Sequence, residues 1–310
     1  MVSDGVGARP GVVDRPPRAD VLLMTVGVVA VSTSGPLMAA VAAPALAVAM
    51  WRNVLGVAAI APFAAVTRLG ELRALSAREL RWALAAGLLL AAHFATWVPS
   101  LRFTSVASAT AIVATQPVWV ALIARATGHD VPRRTWVGIT LSIVAVVVLT
   151  GVDFSLEPRA LVGDLLALLG GVFAAFYTVA GAEVRRTVST TTYTSICYST
   201  AGVVLLVACL VGRVDLWGYD STVWVQLLAL TLGAQLLGHS VFNLVLRTTS
   251  PTVVSLALLL EIPGAAVIAA AALGQVPPLA ALPAALLLLL GLGIVVYERP
   301  PDVQPAIPAE

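Results

Sequence analysis

Ten apolar stretches, each near the length that crosses a bilayer, dominate this chain. They run over residues 21–42, 45–66, 82–101, 107–126, 136–152, 161–182, 193–212, 223–246, 252–273 and 279–297. A helix needs about 20 mainly apolar residues to span the hydrocarbon. Lipid offers the backbone no hydrogen-bond partners, so such stretches fold as helices rather than open sheet. The fifth is the shortest, and Arg133 and Arg134 can snorkel at its start. The first reads as a span rather than a cleaved leader. It is long, carries Ser32-Thr33-Ser34-Gly35-Pro36 in its middle and runs almost directly into the second. Only 11% of residues are charged and 59% are hydrophobic, against about 25% charged in soluble domains. A water-soluble fold and a disordered chain are both excluded. The net charge of +2, with scattered arginines, excludes a nucleic-acid binder. The expected fold class is an all-α polytopic membrane protein with ten transmembrane helices.

All 18 basic residues are arginine, which removes lysine chemistry. Their distribution orients the spans. With a cytoplasmic N-terminus, 14 arginines lie on the cytoplasmic side, Arg78, Arg125, Arg185, Arg186 and Arg247 among them. Arg102, Arg159 and Arg213 lie outside, and Arg52 lies within the second span. The positive-inside rule then puts both termini in the cytoplasm of the cell (inner) membrane and favours an even number of spans. Residues 1–19 and 298–310 read as short tails. Cys197 and Cys209, twelve residues apart, are too far separated on one helix for a disulfide.

Punctuating residues repeat. Leu101-Arg102-Phe103-Thr104-Ser105 parallels Leu246-Arg247-Thr248-Thr249-Ser250, 145 residues on. Pro117 matches Pro263, Gly128 matches Gly274, Pro132 matches Pro278 and His93 matches His239, each 146 residues on. The chain therefore divides into a first repeat at 20–152, an outer linker at 153–160 and a second repeat at 161–297. Each repeat holds five helices. Five is odd, so the second copy enters from the opposite side, an inverted arrangement common among secondary transporters.

Four stretches carry a resemblance to a known family: Met50-Trp51-Arg52-Asn53; His93 through Ser105 into Thr115-Gln116-Pro117; Gly163-Asp164 through Phe176-Tyr177; and Gly238-His239 through Glu261-Ile262-Pro263. In this order, over residues about 20 to 297, the sequence resembles the EamA-type transporters of the drug/metabolite transporter superfamily. The resemblance implies ten helices, two inverted repeats and export or exchange of small metabolites. It also has departures. Gly-Glu is common in the family after the fourth and ninth helices, and here the pairs are Gly128-His129 and Gly274-Gln275. The usual Glu-Pro of the ninth is interrupted by Ile262.

Charges in hydrocarbon cost about 2.5–3.5 kcal/mol at a helix centre, so Arg52 and Glu261 should face the bundle interior. Arg52 could contact an anion and Glu261 could carry a proton, or the two could pair and brace the bundle; both readings stand. His93 and Trp97 share a helix face, with Ser100 a turn further on. Gln235, His239 and Asn243, spaced by four, form a polar stripe. Either histidine could carry a proton near neutral pH. Asn243 reads more as an interhelical contact. Gln116 adjoins Pro117, where the helix should kink. Ser34-Gly35-Pro36, Gly170-Gly171 and Pro263 should mark similar breaks. Tyr177, Ser195, Tyr198 and Ser199 add polar tips. Trp82, Trp136, Trp217, Trp224 and Tyr297 read as an interfacial belt.

No nucleophile elbow, phosphate loop, zincin motif or metal cluster is legible, so neither an enzyme nor a cofactor or metal is expected. The expected function is a secondary active transporter, an exporter of a small polar or amphipathic metabolite working by alternating access. Its expected partners are that substrate, the lipid bilayer and a candidate coupling proton, with no nucleic acid and a homodimer left open. The candidate substrate-binding residues are Arg52, His93, Trp97, Gln116, Tyr177, His239 and Glu261. A passive facilitator or channel of the same architecture is the alternative, and a membrane-embedded enzyme or lipid-handling protein a more distant one.

Overall fold

The computed structural model describes residues 16–104, 109, 112–150, 157–264, 267–268 and 281–296. Most of both expected tails, residues 153–156 of the linker, the later part of the ninth stretch, Gly274, Gln275, Pro278 and Tyr297 lie outside the described residues. So does Ser105 of the first repeat motif.

Among the described residues the elements are helices: α1 (Arg18–Val31), α2 (Ser34–Ala40), α3 (Ala45–Thr67), α4 (Leu69–Ala74), α5 (Ala77–Ser100), α6 (Gln116–Ala126), α7 (Arg133–Thr150), α8 (Pro158–Val184), α9 (Thr190–Val211) and α10 (Ser221–Leu230). A π-helical stretch, Thr231–His239, then leads into α11 (Ser240–Val245), followed by α12 (Pro251–Leu258) and α13 (Ala281–Val296). Among the described residues, six helical runs are long and apolar enough to cross a membrane: Arg18–Met38, Ala45–Thr67, Ala77–Ser100, Pro158–Val184, Thr190–Val211 and Ser221–Val245. Pro251–Gly264 and Leu286–Val295 are shorter apolar helices. Their outward faces carry large apolar side chains, including Leu22, Val66, Val203, Leu232 and Leu286. A surface so continuously apolar fits lipid rather than water. The chain is thus a multi-spanning membrane protein.

Prolines accompany three breaks, although Pro62 and Pro99 lie within unbroken α3 and α5. A proline removes one backbone donor and clashes with the carbonyl four residues earlier. The helix turns irregular at residues 32–33 ahead of Pro36, at 114–115 ahead of Pro117 and at 259–260 ahead of Pro263. Tighter bonds to the third residue back replace the lost pattern, as in Thr115 N to Ile112 O and Leu260 N to Ala257 O. Gly170-Gly171 departs from expectation. No break occurs there, and α8 runs unbroken from Pro158 to Val184. The glycines instead admit a neighbour, because a Cβ on Gly170 would lie 2.9 Å from the Cβ of Trp97. The α5–α8 contact is the most extensive helix pairing in the molecule, and α7 with α13 follows.

Two apolar cores result. One joins α3, α5, α9 and α10 through Met50, Leu90, Phe94, Tyr198, Leu205 and Leu230. The other joins α1, α7, α12 and α13 through Met24, Ile139, Val253, Leu256 and Leu288.

The two ends of the bundle differ. At one end, the Asp20 carboxylate accepts from the hydroxyls of Thr248 (2.5 Å) and Thr249 (2.7 Å). Glu71, on α4, accepts from the N–H and Oγ of Ser189, both at 2.6 Å, and from Thr192 Oγ1 at 2.9 Å. Ser189 caps α9, so a carboxylate from another helix completes the cap. At the opposite end, Arg102 reaches the carbonyls of Val41 and Ala43, and Arg159 reaches that of Arg102. There Trp51 packs edge-on against Trp217 (4.7 Å) and Trp224 (5.0 Å). Trp217 and Trp224, read from sequence as belt residues, also form this cluster. Both cysteines are free and buried.

Candidate functional site

Mid-bundle, a cavity of about 90 Å³ opens where the broken helices meet. Its walls come from α1 and α2, α5, the start of α6, α8, the π stretch with α11, and α12 with the turn after it. Six of the seven candidate residues line it: His93, Trp97, Gln116, Tyr177, His239 and Glu261. Ligand pockets usually hold about 300–1,000 Å³. At about 90 Å³ this cavity is small, with room for several waters.

Each polar group is positioned by the fold. His93 Nδ1 lies 2.9 Å from Gly170 O. A carbonyl only accepts, so Nδ1 carries the proton and, in the neutral ring, Nε2 is left as an acceptor. The ring stacks on Trp97 at 5.4 Å. His239 stands edge-on to Phe94 at 5.7 Å and 6.4 Å from the Tyr177 ring. Tyr177 donates to Asn243 Oδ1 at 2.9 Å. Gln116 donates to Thr178 Oγ1 at 3.0 Å. Glu261 makes no hydrogen bond or ion pair among the described residues and meets Arg52 only at electrostatic range.

Arg52 is the exception. It is fully buried but does not line the cavity. Its Nε donates to Gln235 Oε1 at 2.9 Å, Nη1 contacts the sulfur of Met38 at 3.7 Å, and the guanidinium lies 4.2 Å from the centre of the Phe94 ring. Nη2 has no partner. The direct Arg52–Glu261 pair allowed by sequence does not form. Gln235 likewise leaves the expected stripe. The π stretch turns less per residue than an α-helix, which rotates Gln235 relative to the residues that follow it. Gln235 turns toward Arg52 and Asn53, while His239 and Asn243 face the cavity.

Asn243, expected as an interhelical contact, makes one with Tyr177 and also lines the cavity, as do Thr178 and Ser255, which sequence reasoning passed over. Thr178 follows Tyr177 directly, and Ser255 stands alone among apolar neighbours in α12; a polar residue inside a span is the signal that finds both. Two buried donors at the cavity, Trp97 Nε1 and Asn243 Nδ2, have no partner. Buried polar groups are nearly always satisfied, so such orphans mark where a ligand or water belongs. Arg185, counted from sequence with the topological arginines, is buried at 2% exposure. Its Nε donates to Asn243 O at 2.9 Å and its Nη1 to Val188 O.

A solved crystal structure shares this fold, with a TM-score of 0.74 at 18% identity over 89% of this chain and 96% of the other. No curated protein matches the chain in sequence. The model of the EamA-like transporter family matches twice, over residues 19–151 and 161–297. With most of its length so matched, the chain belongs to the EamA-like transporter family.

Proposed function

We propose that this protein is a secondary active transporter that exports a small polar or amphipathic metabolite by alternating access. The proposal includes ten spans in two inverted five-helix repeats, at 20–152 and 161–297, and both termini in the cytoplasm of the inner membrane. One observation carries it: the central cavity draws on matching parts of the two halves. His93 and His239, 146 residues apart, both line it, and so do the residues beside Pro117 and Pro263. Binding at an interface between repeats, beside broken helices, is how secondary transporters are commonly built.

The roles follow from the chemistry. Trp97, Gln116, Tyr177 and the two histidines hydrogen-bond or stack on the substrate. Glu261, unpaired at the cavity wall, carries the coupling proton. Arg52 acts from behind Phe94, its guanidinium 4.2 Å from the centre of that ring. The small volume fits an occluded state that must widen to load.

The test is uptake of a labelled metabolite panel into proteoliposomes under an imposed proton gradient. A substrate should accumulate against its own gradient. Glu261→Gln should abolish that accumulation and its pH dependence, and Arg52→Ala should cut the rate about tenfold, the loss of about 1.4 kcal/mol. Flux that never exceeds equilibration would instead establish a passive facilitator. If both variants keep the wild-type rate and pH profile, the site assignment is wrong.

A further inference from the structure

A second cavity, of about 580 Å³, lies at the end of the bundle where α5 begins, α8 ends and the chain leaves α11. It belongs to none of the transport machinery above. Arg78, Arg186 and Arg247 line it together with Glu79 and Glu183. Both acids are engaged. Glu183 takes Arg78 at 2.9 Å and Arg186 at 3.3 Å. Glu79 takes Thr187 at 2.6 Å and the Ser76 cap at 2.7 and 2.8 Å. Glu183 thus braces two guanidinium groups, Glu79 is held by hydroxyls and a backbone N–H, and three arginines stand against two glutamates. Arg247 has no side-chain hydrogen bond or ion pair among the described residues.

Behind it stands the buried Arg185, held only by backbone carbonyls. Burial and the nearby Arg247 push Arg185 down to about 10. Arg247 and Arg185 therefore repel each other electrostatically, a repulsion that Tyr193 and Glu71 partly offset. A phosphate-type oxyanion would relieve that repulsion and accept from the free guanidinium.

The rim identifies the source. Trp82, one turn along α5 from Arg78, lines the cavity and is 41% exposed, as suits an indole at headgroup level. Leu244, one turn before Arg247, is also exposed, so lipid reaches this flank. We propose that this end cavity binds the headgroup phosphate of an anionic phospholipid, with Arg247 as its principal contact and Trp82 at the glycerol level. The site would tie the loops after α8 and α11 to the leaflet.

The full chain, purified in neutral detergent, tests this by thermal unfolding and by lipid retention in native mass spectrometry. The additions are phosphatidylglycerol, phosphatidylcholine and inorganic phosphate. Phosphatidylglycerol should raise the unfolding midpoint more than phosphatidylcholine does, and added salt should erode the difference. Arg247→Gln, an exposed position, should unfold normally without lipid yet bind phosphatidylglycerol about fivefold more weakly, as about 1 kcal/mol per basic residue implies. Arg125→Gln, remote from the cavity, should bind as wild type does. Equal stabilisation by both lipids, or equal effects of the two substitutions, would overturn the site. Inorganic phosphate reproducing the whole effect would overturn the lipid as its source.

Discussion

The central cavity and the polar end of the bundle are built from the same kinds of residue but are wired differently. At the end, described carboxylates meet hydroxyls or guanidinium groups: Asp20 with Thr248 and Thr249, Glu71 with Ser189 and Thr192, Glu183 with Arg78 and Arg186. In the cavity, Trp97 Nε1, Asn243 Nδ2 and the Glu261 carboxylate are left over, and Arg52 Nη2 is left over behind it. An engaged network holds helices in place. Leftover groups await something else, because each costs free energy until a partner arrives. The carboxylate network at the end therefore reads as structure and the central cavity as a place for ligand, with Arg247 the group that the end network leaves over. That contrast can be broken by substitution.

Arg185 should show the largest effect. Arg185→Met leaves two carbonyls, those of Asn243 and Val188, without their donor. Each such loss costs about 1–3 kcal/mol, and removing a buried charge returns part of it. A net loss of about 2–4 kcal/mol is expected in detergent unfolding. A midpoint equal to wild type would show that the end network holds nothing.

Gly170→Ala comes next and probes the cavity wall. The added Cβ meets Trp97 at 2.9 Å, with the Trp97 backbone at 3.4 Å. Overpacking of this kind costs about 1–3 kcal/mol. Gly35→Ala is the control, since nothing lies within 4 Å of its added Cβ. Equal effects of the two would mean that α5 and α8 are free to separate, and the leftover cavity groups would then reflect loose packing.

Glu71→Gln should be smaller, about 1 kcal/mol, because this carboxylate is partly solvated. Its pH dependence is diagnostic. Burial raises the carboxyl, but hydrogen bonds from Ser189 and Thr192 and the charge of Arg68 outweigh that and hold it below its ordinary value of 4.5. A group depressed in the folded state stabilises fully above its unfolded value and loses that contribution as pH falls through the folded one. The gap between wild type and Glu71→Gln should thus be constant above about pH 4.5 and shrink below it. A gap that widens on acidification would reverse the assignment.

The legible part of this architecture was its punctuation. Pro36, Pro117 and Pro263 each follow a break, as a missing donor allows, whereas Pro62 and Pro99 sit within unbroken α3 and α5, so the neighbours decide whether a proline interrupts its helix. His93 and His239 reach one cavity because their matched offsets reflect matched places in the two halves. The π stretch was not legible. Thr231–His239 has ordinary helical composition, and only Gln235 turning to Arg52 betrays the wider turn. Gly170-Gly171 looked like a break because glycine permits both bending and close approach, and only the position of Trp97 decides between them. Arg185 hid beside Arg186. One is buried and the other exposed, a distinction that depends on where Val188 and Asn243 come to lie.

Trp97→Phe should have the smallest effect on stability and says most about the cavity. The phenyl ring keeps an aromatic face against His93, which the indole stacks at 5.4 Å. What it removes is an N–H that has no partner. Losing a satisfied buried donor would cost about 0.5–1.5 kcal/mol, but losing an unsatisfied one recovers its desolvation penalty and offsets the smaller ring. Unfolding should therefore shift by no more than about 0.5 kcal/mol. Transport should fall about tenfold, the worth of one hydrogen bond made only to the substrate. The reverse pattern, a destabilised bundle that transports normally, would move Trp97 from the cavity's function to its packing. The cavity would then be wired like the end of the bundle, with its donors serving the fold.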